Sequence, residues 1–477
     1  MSALRTAAAA ALIGFVLTAC ATTHGLSPHA RVRSADELKS SQSFAMTPSE
    51  DAAWPQANWW TGLGDQQLDQ LIEEALRDSP TLEIAQARTR RALAQAGVEN
   101  AALYPQLTAS ASTTREEFPG HSLIPPPYAG SWNSLSELSA TLSWELDLWG
   151  KNRAARASAA DQARAAAVDA DAARLALSVS IAHAYVQLQR AYLQLDVAQA
   201  TLAQREQIYS LTQERNAAGL DSRLELKQAE SALPQSHEQI AQLNELIELT
   251  RNELAALLGQ GPDRGLAIAR PAASQLTQFA LPSRVPAELL GRRPDLIAER
   301  WRIEAARQNI TVARAAFYPD VNLAALVGFQ TLGPSGLLTA ASREVGVGPA
   351  LSLPLFDAGR RRAQLAARDA EYDAAVEQYN QTLADALRQV VDQLASMRSL
   401  AEQRAQQREG LETAQEAYDL AILRYREGVG NYLQVLSTQT QLLEQRSLDA
   451  DLRARALDVS VNLVQALGGG LNLEPKS

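Results

Sequence analysis

Two stretches of 65 residues, 152–216 and 361–425, contain no proline and almost no glycine, and Ala, Gln, Leu, Arg and Glu dominate both. Each is predicted as a single α-helix on the order of 100 Å long, given the helical rise per residue. In the second run Tyr372, Val376, Tyr379, Leu383, Ala386, Val390, Leu394, Met397 and Ala401 recur at spacings alternating mostly between three and four, which is a coiled-coil seam. The remaining faces are polar, so such a helix packs along narrow lines and keeps water on the rest. Turns at Gly219 and at Gly428/Gly430 are expected to reverse the chain into shorter helices ending near Gly259 and Gly468, with Pro234 kinking the first.

The two runs belong to an internal repeat. At a shift of 209 residues, Ser143 falls on Ser352, Leu146 on Leu355, Gly150 on Gly359, Arg153 on Arg362, Tyr209 on Tyr418, Arg215 on Arg424, Gly219 on Gly428, Leu224 on Leu433 and Gly259 on Gly468. Upstream, Ala102-Leu103-Tyr104-Pro105 matches Ala316-Phe317-Tyr318-Pro319 at a shift of 214, so one loop is five residues shorter in the second copy. Before each Tyr-Pro lies a helical segment, 82–102 and 296–316, opened by Pro80 or Pro294 where a missing N–H is harmless. The boundaries read as repeat 1 over 58–270 and repeat 2 over 271–477.

After each Tyr-Pro the period changes to two. Leu138, Ala140, Leu142, Trp144, Leu146 and Leu148 alternate with Ser139, Thr141, Ser143, Glu145 and Asp147. In the second copy Val321, Leu323, Ala325, Val327 and Phe329 form one apolar face, and Val345, Val347, Leu351, Leu353 and Leu355 another. Long turns, 118–131 with Pro125-Pro126-Pro127 and 330–343 with Gly333-Pro334, join the strands. Strands of about ten residues cross a bilayer at a tilt. Two hairpins give four strands per chain, an open edge is forbidden in lipid, and closed barrels begin at about eight strands. Several copies must therefore share one barrel: a dimer would fill its interior with side chains, and a trimer leaves a lumen.

The 477-residue chain has a formal net charge of -10, and no Lys/Arg block offers nucleic acid an electrostatic footprint. It has a single cysteine, Cys20, which excludes internal disulfides and cysteine metal sites. Residues 1–19 read as an export signal with an apolar stretch too short to span a membrane. The run Leu17-Thr18-Ala19-Cys20 resembles the lipobox of bacterial lipoproteins, which implies an acylated Cys20 as the mature N-terminus, and Ala21 favours outer-membrane sorting. Residues 20–57, rich in Ser, Thr, Pro and charge, read as an extended, lipid-anchored tether.

Taken in order, several motifs resemble those of the TolC-like outer-membrane efflux factors, in the lipoprotein branch serving RND-type pumps. They are Trp59-Trp60 with Gly64-Asp65 and Leu68; Arg292-Arg293-Pro294-Asp295; Ala315-Ala316-Phe317-Tyr318-Pro319; Phe356-Asp357-Ala358-Gly359-Arg360; and Tyr425-Arg426-Glu427-Gly428 running into Tyr432-Leu433 and Val435-Leu436. The resemblance implies a mixed α/β membrane protein. It would be a homotrimer sharing a twelve-stranded barrel and a long periplasmic helical barrel in a Gram-negative outer membrane, with no catalysis. It implies a periplasmic adaptor protein and an inner-membrane RND-type pump as partners. The turns bearing Gly219 and Leu220, and Gly428 and Val429, are the implied adaptor-contact tips; as plain backbone they are helix-reversing glycines. Family members close the tip with side chains just past that turn, some with a ring of Asp. Here those positions are Gln434 and Ser437, with Glu225 and Gln228 as their repeat-1 equivalents. The expected gate is therefore Tyr425, Gln434, Ser437 and Glu225, held by hydrogen bonds rather than a carboxylate cluster.

Other constellations point to ordinary structure. His24, His29, His121, His183 and His237 never stand at metal-ligand spacing, and Gly346-Val347-Gly348 opens no helix and lacks the third glycine of a nucleotide loop. No cofactor is expected beyond lipid on Cys20. Arg292-Arg293 is expected to be a solvated or capping pair, and Trp132, Trp144, Trp149, Phe317 and Tyr318 are placed at strand ends where an aromatic girdle would sit. Efflux of small toxic compounds is the leading function. The alternatives are an outer-membrane duct for type I protein secretion and a non-channel periplasmic coiled-coil scaffold. The strands separate channel from scaffold, because no spare amphipathic helix is available to cover a soluble sheet.

Overall fold

The computed structural model describes residues 23, 25–45, 54–121, 124–272, 291–333 and 335–470. Cys20, the export signal 1–19 and Pro334 lie outside them. The longer elements, in chain order, are α1 (Gln66–Asp78), α2 (Pro80–Ala101), β1 (Gln106–Glu117), β2 (Trp132–Glu145), α3 (Lys151–Ala217), α4 (Arg223–Leu257), α5 (Pro294–Ala315), β3 (Asp320–Leu332), β4 (Arg343–Ser352), α6 (Arg360–Arg426) and α7 (Tyr432–Ala466), with short helical turns elsewhere. Both helices preceding Tyr-Pro start on their proline. The long helices α3 and α6 are 67 residues each and α4 and α7 are 35 each. Pro234 lies inside α4, which is continuous across it.

The chain divides into two compact units. One holds the sheet with residues 88–166 and 298–379. Its four strands run antiparallel in the order β1-β2-β3-β4, so the two hairpins join through β2 and β3 into one meander. The register aligns Leu107, Leu142, Ala325 and Val347 across the sheet, and Ala109, Ala140, Val327 and Val345 in the next row of the same face. Val347 on this apolar face is 78 % exposed. Opposite it Ser110, Ser139, Gly328 and Glu344 align, with a 2.9 Å hydrogen bond between the Ser110 and Ser139 hydroxyls. A sheet that is apolar and bare on one face and polar on the other suits a barrel wall between lipid and a wet lumen. β1 and β4 are the edges, and in lipid each needs a strand from another copy.

The aromatics separate on inspection. Trp149 and Tyr318 stack with centroids 4.7 Å apart, and the Trp149 Nε1–H donates to the Pro319 carbonyl at 2.7 Å. Trp144 donates to Leu103 at 3.0 Å, whereas Trp132 pairs with Glu117 at the far end of the sheet. Phe317 is no girdle residue: it is buried with Ile310 and Leu365. Trp144 and Trp149 thus place the polar edges of their rings on backbone carbonyls beside the two Tyr-Pro pairs, where the sheet meets the helices.

The other unit holds residues 33–87, 167–297 and 380–477. Asp65 caps α1 by accepting the N–H groups of Gln67 and Leu68, takes the Tyr185 hydroxyl at 2.8 Å, and receives the Ala272 N–H at 3.2 Å. Beside it Trp59, Trp60, Leu68, Leu71 and Ile72 pack on Leu188, Leu254, Leu258 and Val461. Of the two roles expected of Arg293, solvated or capping, the structure shows capping: it donates to the carbonyl of Ala466, the last residue of α7. The Arg293 side chain is 8 % exposed and is satisfied by Asp295 at 2.7 Å and by Gln389 and the Ala466 carbonyl, each at 2.9 Å. The predicted α6 seam is buried from Val376 to Leu394, but after Met397 it continues through Leu400 rather than Ala401, which is exposed.

The N-terminal stretch differs from a free tether where it is described. In the sheet-bearing unit the N–H groups of His29 and Ala30 both donate to Asp373 at 2.9 Å, and Leu26 packs beside Ile310 and Leu365. In the other unit the Arg33 N–H donates to Asn380 at 2.9 Å, and Leu38, Phe44 and Trp54 pack against Val390, Leu394 and Leu463. Polar composition concealed this because side chains of α6 satisfy the extended backbone.

Candidate functional site

Both long helices end in the same backbone device. After α3, Gly219 takes φ 74°, its N–H bonds the Asn216 carbonyl at 3.0 Å, and the Leu220 N–H reaches Arg215 at 2.9 Å. After α6, Gly428 takes φ 79°, its N–H bonds Tyr425 at 3.1 Å, and the Val429 N–H reaches Arg424 at 3.0 Å. A left-handed residue followed by a back-bond of this kind closes a helix, and glycine adopts it without Cβ strain. The turns present apolar side chains to solvent: Leu220 and Leu433 are 66 % exposed, Leu224 63 % and Val429 67 %.

Beneath the turns a buried polar network joins the repeats. Asp221, between α3 and α4, receives Arg215 Nε at 2.9 Å and Nη2 at 3.2 Å, and the Tyr425 hydroxyl donates to the same carboxylate. Arg215 Nη1 donates to the Tyr425 carbonyl at 2.9 Å while its guanidinium lies 4.5 Å from the Tyr425 ring centroid. The Thr212 hydroxyl lies 2.9 Å from the Tyr425 oxygen and also 2.9 Å from the Ile208 carbonyl, to which it donates. The Arg215 and Asp221 side chains are only 11 % and 9 % exposed, and Tyr425 is fully buried among Ile208, Tyr418, Tyr432 and Val435.

The electrostatics follow from these contacts. Burial pushes the Asp221 carboxyl up, but the hydrogen bonds from Arg215 and Tyr425 and the adjacent guanidinium charge outweigh it, leaving the group below its ordinary 3.8. Burial, then the Asp221 carboxylate, raises the Tyr425 phenol from 10.0 to about 12. The hydrogen bond to Asp221 raises Arg215 above its already high value. At neutral pH the set is carboxylate, guanidinium and neutral phenol, with each charge matched.

The four expected gate residues are not brought together. Tyr425 is central but buried, and its carboxylate partner is Asp221. Glu225 accepts from the Ser222 N–H at 2.9 Å and from the Ser222 hydroxyl, while Ser222 caps α4 by accepting the Leu224 N–H at 3.1 Å. That reciprocal pair is a capping box, so Glu225 serves the start of α4. Gln434 is exposed and uses its backbone N–H on the α7 cap Asn431 at 3.0 Å, and Ser437 is exposed one turn further. The Ser222-x-x-Glu225 spacing was the available signal for the cap. Arg215 and Asp221 carry no local signal, since Tyr425 lies more than two hundred residues away in the chain. Among the described residues no cluster of His, Cys, Asp and Glu could hold a metal ion. His183 instead bonds Asp458 at 2.8 Å and Asn462 at 3.0 Å.

Long paired helices, a four-stranded barrel segment with two open edges and a latched helix-reversal end define a channel-forming outer-membrane protein. Residues 71–260 and 285–469 match the outer membrane efflux protein family. The fusaric acid resistance protein FusA of Burkholderia cepacia is 40 % identical over 363 residues, spanning 75 % of this chain and 68 % of the relative. The multidrug resistance outer membrane protein MdtP of Shigella flexneri is 30 % identical over 457 residues, spanning 94 % and 92 %. Among solved structures, the outer membrane protein VceC of Vibrio cholerae superposes with a TM-score of 0.81 at 37 % identity, covering 88 % of this chain and 100 % of that one. The outer-membrane channel OprN superposes with a TM-score of 0.82 at 27 % identity, covering 94 % and 98 %. The chain belongs to the outer membrane efflux protein family. It is an efflux channel of the Gram-negative outer membrane extending into the periplasm, with the trimeric barrel-and-tunnel fold of that class. The scaffold alternative is set aside by this membership.

Proposed function

We propose that the chain is the passive exit duct of a tripartite assembly, receiving small toxic organic compounds from an inner-membrane RND-type pump through a periplasmic adaptor. Energy enters at the pump, and the duct contributes a wet path and a gate. The adaptor meets the two glycine-closed turns at Gly219 and Leu220 and at Gly428 and Val429, whose exposed Leu220, Leu224, Val429 and Leu433 supply apolar contact area. Cys20 carries the lipid that holds the N-terminus at the outer membrane. Resistance to fusaric acid and to multiple drugs in the names of two relatives supports small-molecule cargo over protein secretion.

One observation carries the gate: the Arg215, Asp221, Tyr425 and Thr212 network lies directly beneath the turns and ties repeat 1 to repeat 2. Opening requires that this tie be exchanged for contacts elsewhere, such as those an adaptor offers. Gln434 and Ser437 line the water-filled side of the closed tip. In planar bilayers, an Asp221→Ala, Tyr425→Phe channel is expected to conduct severalfold more than wild type. Equal conductance would remove the network from the gate. Deleting the gene should sensitise cells to toxic organic compounds, and a Cys20→Ser chain should still form pores, since the strands supply their own insertion.

A further inference from the structure

Two acids of α6 meet the docked N-terminal stretch, and they meet it in opposite ways. Asp373 accepts the His29 N–H at 2.9 and 3.1 Å through its two oxygens, and the Ala30 N–H at 2.9 Å. One turn earlier on the same helix face, Asp369 is 5 % exposed, and both of its carboxylate oxygens are buried with no hydrogen-bond partner among the described residues. Leu365 and Val376, on either side along that face, are fully buried, and Leu26 packs beside Leu365 and Ile310. Asp369 thus occupies a position that its neighbours on the face fill with apolar side chains.

The helix itself does not call for an acid there. At the shift of 209 residues Asp369 falls on Ala160 and Asp373 on Arg164, so this pair of acids is confined to the repeat on which the stretch lies. An ionised carboxylate is far more costly to bury without a donor than a neutral carboxyl, and such a group lowers that cost by holding a proton. Burial is the largest influence on Asp369 and raises it. Arg314 of α5 and His29 of the stretch, when charged, favour its ionisation, while Asp373 opposes it. The balance leaves the Asp369 carboxyl above its ordinary 3.8.

We propose that Asp369 is a proton-operated clasp for the N-terminal stretch: protonated, it lets residues 26–30 lie closed against α5 and α6, and ionised, it loosens them. The sense follows from linkage. A carboxyl whose docked value is raised contributes fully below 3.8, and that contribution is lost as pH rises through the docked value. Acid therefore tightens the stretch and neutral pH relaxes it. The clasp is independent of lipid on Cys20; where that lipid is present, it sets how firmly the anchored end is held to repeat 2.

Hydrogen exchange on the full-length channel in detergent tests it, read at the His29 and Ala30 amides and corrected for the intrinsic rate at each pH. In wild type, protection should fall from about pH 4 to about pH 8, by about tenfold for each unit by which the docked value exceeds the undocked one. Asp369→Asn should keep the protection of acid wild type at every pH, and so should Asp369→Leu, which fills the site with an apolar group. Asp373→Ala should lose protection throughout, because the acceptor itself is gone. Unheated gels confirm that each variant is still a trimer, and the wild-type profile needs no variant at all. Equal wild-type protection at both ends of the range overturns the clasp. An Asp369→Asn chain that keeps the full fall also overturns it, by assigning the response to His29 or another group. So does an Asp369→Asn chain less protected than wild type at pH 8, which would show an ionised and paired carboxylate.

Discussion

The two repeats are nearly interchangeable as backbone and unlike as chemistry. Their helices match in length, 22 residues for α2 and α5, 67 for α3 and α6, and 35 for α4 and α7. The glycine closures at Gly219 and Gly428 superpose in dihedral and hydrogen bonding. Side chains then break the symmetry. Arg215 has its counterpart in Arg424, but Asp221 becomes Gly430, Thr212 becomes Ala421, and the residue standing where Tyr425 does is Asn216. One chain therefore builds one latch, not two. A duplicated scaffold sets where elements go, whereas a gate needs a contact that can be made or lost at a defined place.

The largest expected asymmetry is in the returning helices. Pro234 sits inside α4, where Arg205 Nη1 braces the helix by donating to the Ala232 carbonyl at 3.0 Å and to Ser236 at 2.9 Å. The equivalent of Pro234 in α7 is Leu443, and the equivalent of Arg205 is Ala414, which offers no such brace. Leu443→Pro should destabilise the protein by roughly 3 kcal/mol, having lost an interior helix bond and added a clash. Pro234→Ala should lose far less, and urea titration of the detergent-solubilised channel compares them. Similar losses for both would mean that the repeats tolerate the same helix defects.

The next contrast is between the latch and its surroundings. Asp221→Ala removes the carboxylate paired with a nearly buried Arg215 and leaves the Tyr425 hydroxyl without that acceptor. It should cost on the order of 3 kcal/mol at the helix-reversal end. Asn216→Ala removes a single 2.9 Å bond from its side chain to the Asp221 carbonyl and should cost about 1 kcal/mol. Hydrogen exchange at the amides of Gly219 to Leu224 reads both, and the ranking should be clear. An Asn216→Ala effect equal to that of Asp221→Ala would mean that the loop backbone, not the carboxylate, holds the tip.

Local periodicity made the helices, the strands and their faces legible, because each arises from neighbours a few residues apart. Pro80 and Pro294 begin their helices, and Gly219 and Gly428 close theirs, as the residue types require. What stayed hidden were contacts between distant segments. Asp221 carried no reading until the structure placed Tyr425 against it, and of the two roles expected of Arg293, solvated or capping, only its contacts with Gln389 and with the Ala466 carbonyl at the end of α7 picked out capping. The stretch at Leu26 to Arg33 read as loose from its composition, while Asp373 and Asn380 on α6 supply the acceptors that dock it. Glu225 has a local role in the structure, as the capping partner of Ser222. Its capping spacing was present in the chain, but the repeat alignment drew it to the gate.

The smallest contrast is in pH response, and it too separates the two turns. Asp221 titrates below its ordinary 3.8 when folded, so its contribution is complete above that value and lost as pH falls through the depressed one. Tyr425 is raised to about 12, so its contribution is complete below 10.0 and lost as pH rises toward 12. The latch should thus hold unchanged from about pH 4 to pH 10 and loosen outside that window. Protection from exchange at Asp221 and Ser222, corrected for the intrinsic rate at each pH, should be flat across the window and fall beyond either end. Gly430 and Asn431, the equivalents in repeat 2, face no such pair and should show neither fall. A matching loss at both turns would assign the response to general unfolding of the tip, and a loss between pH 5 and 8 would point to a titrating group other than Asp221 or Tyr425.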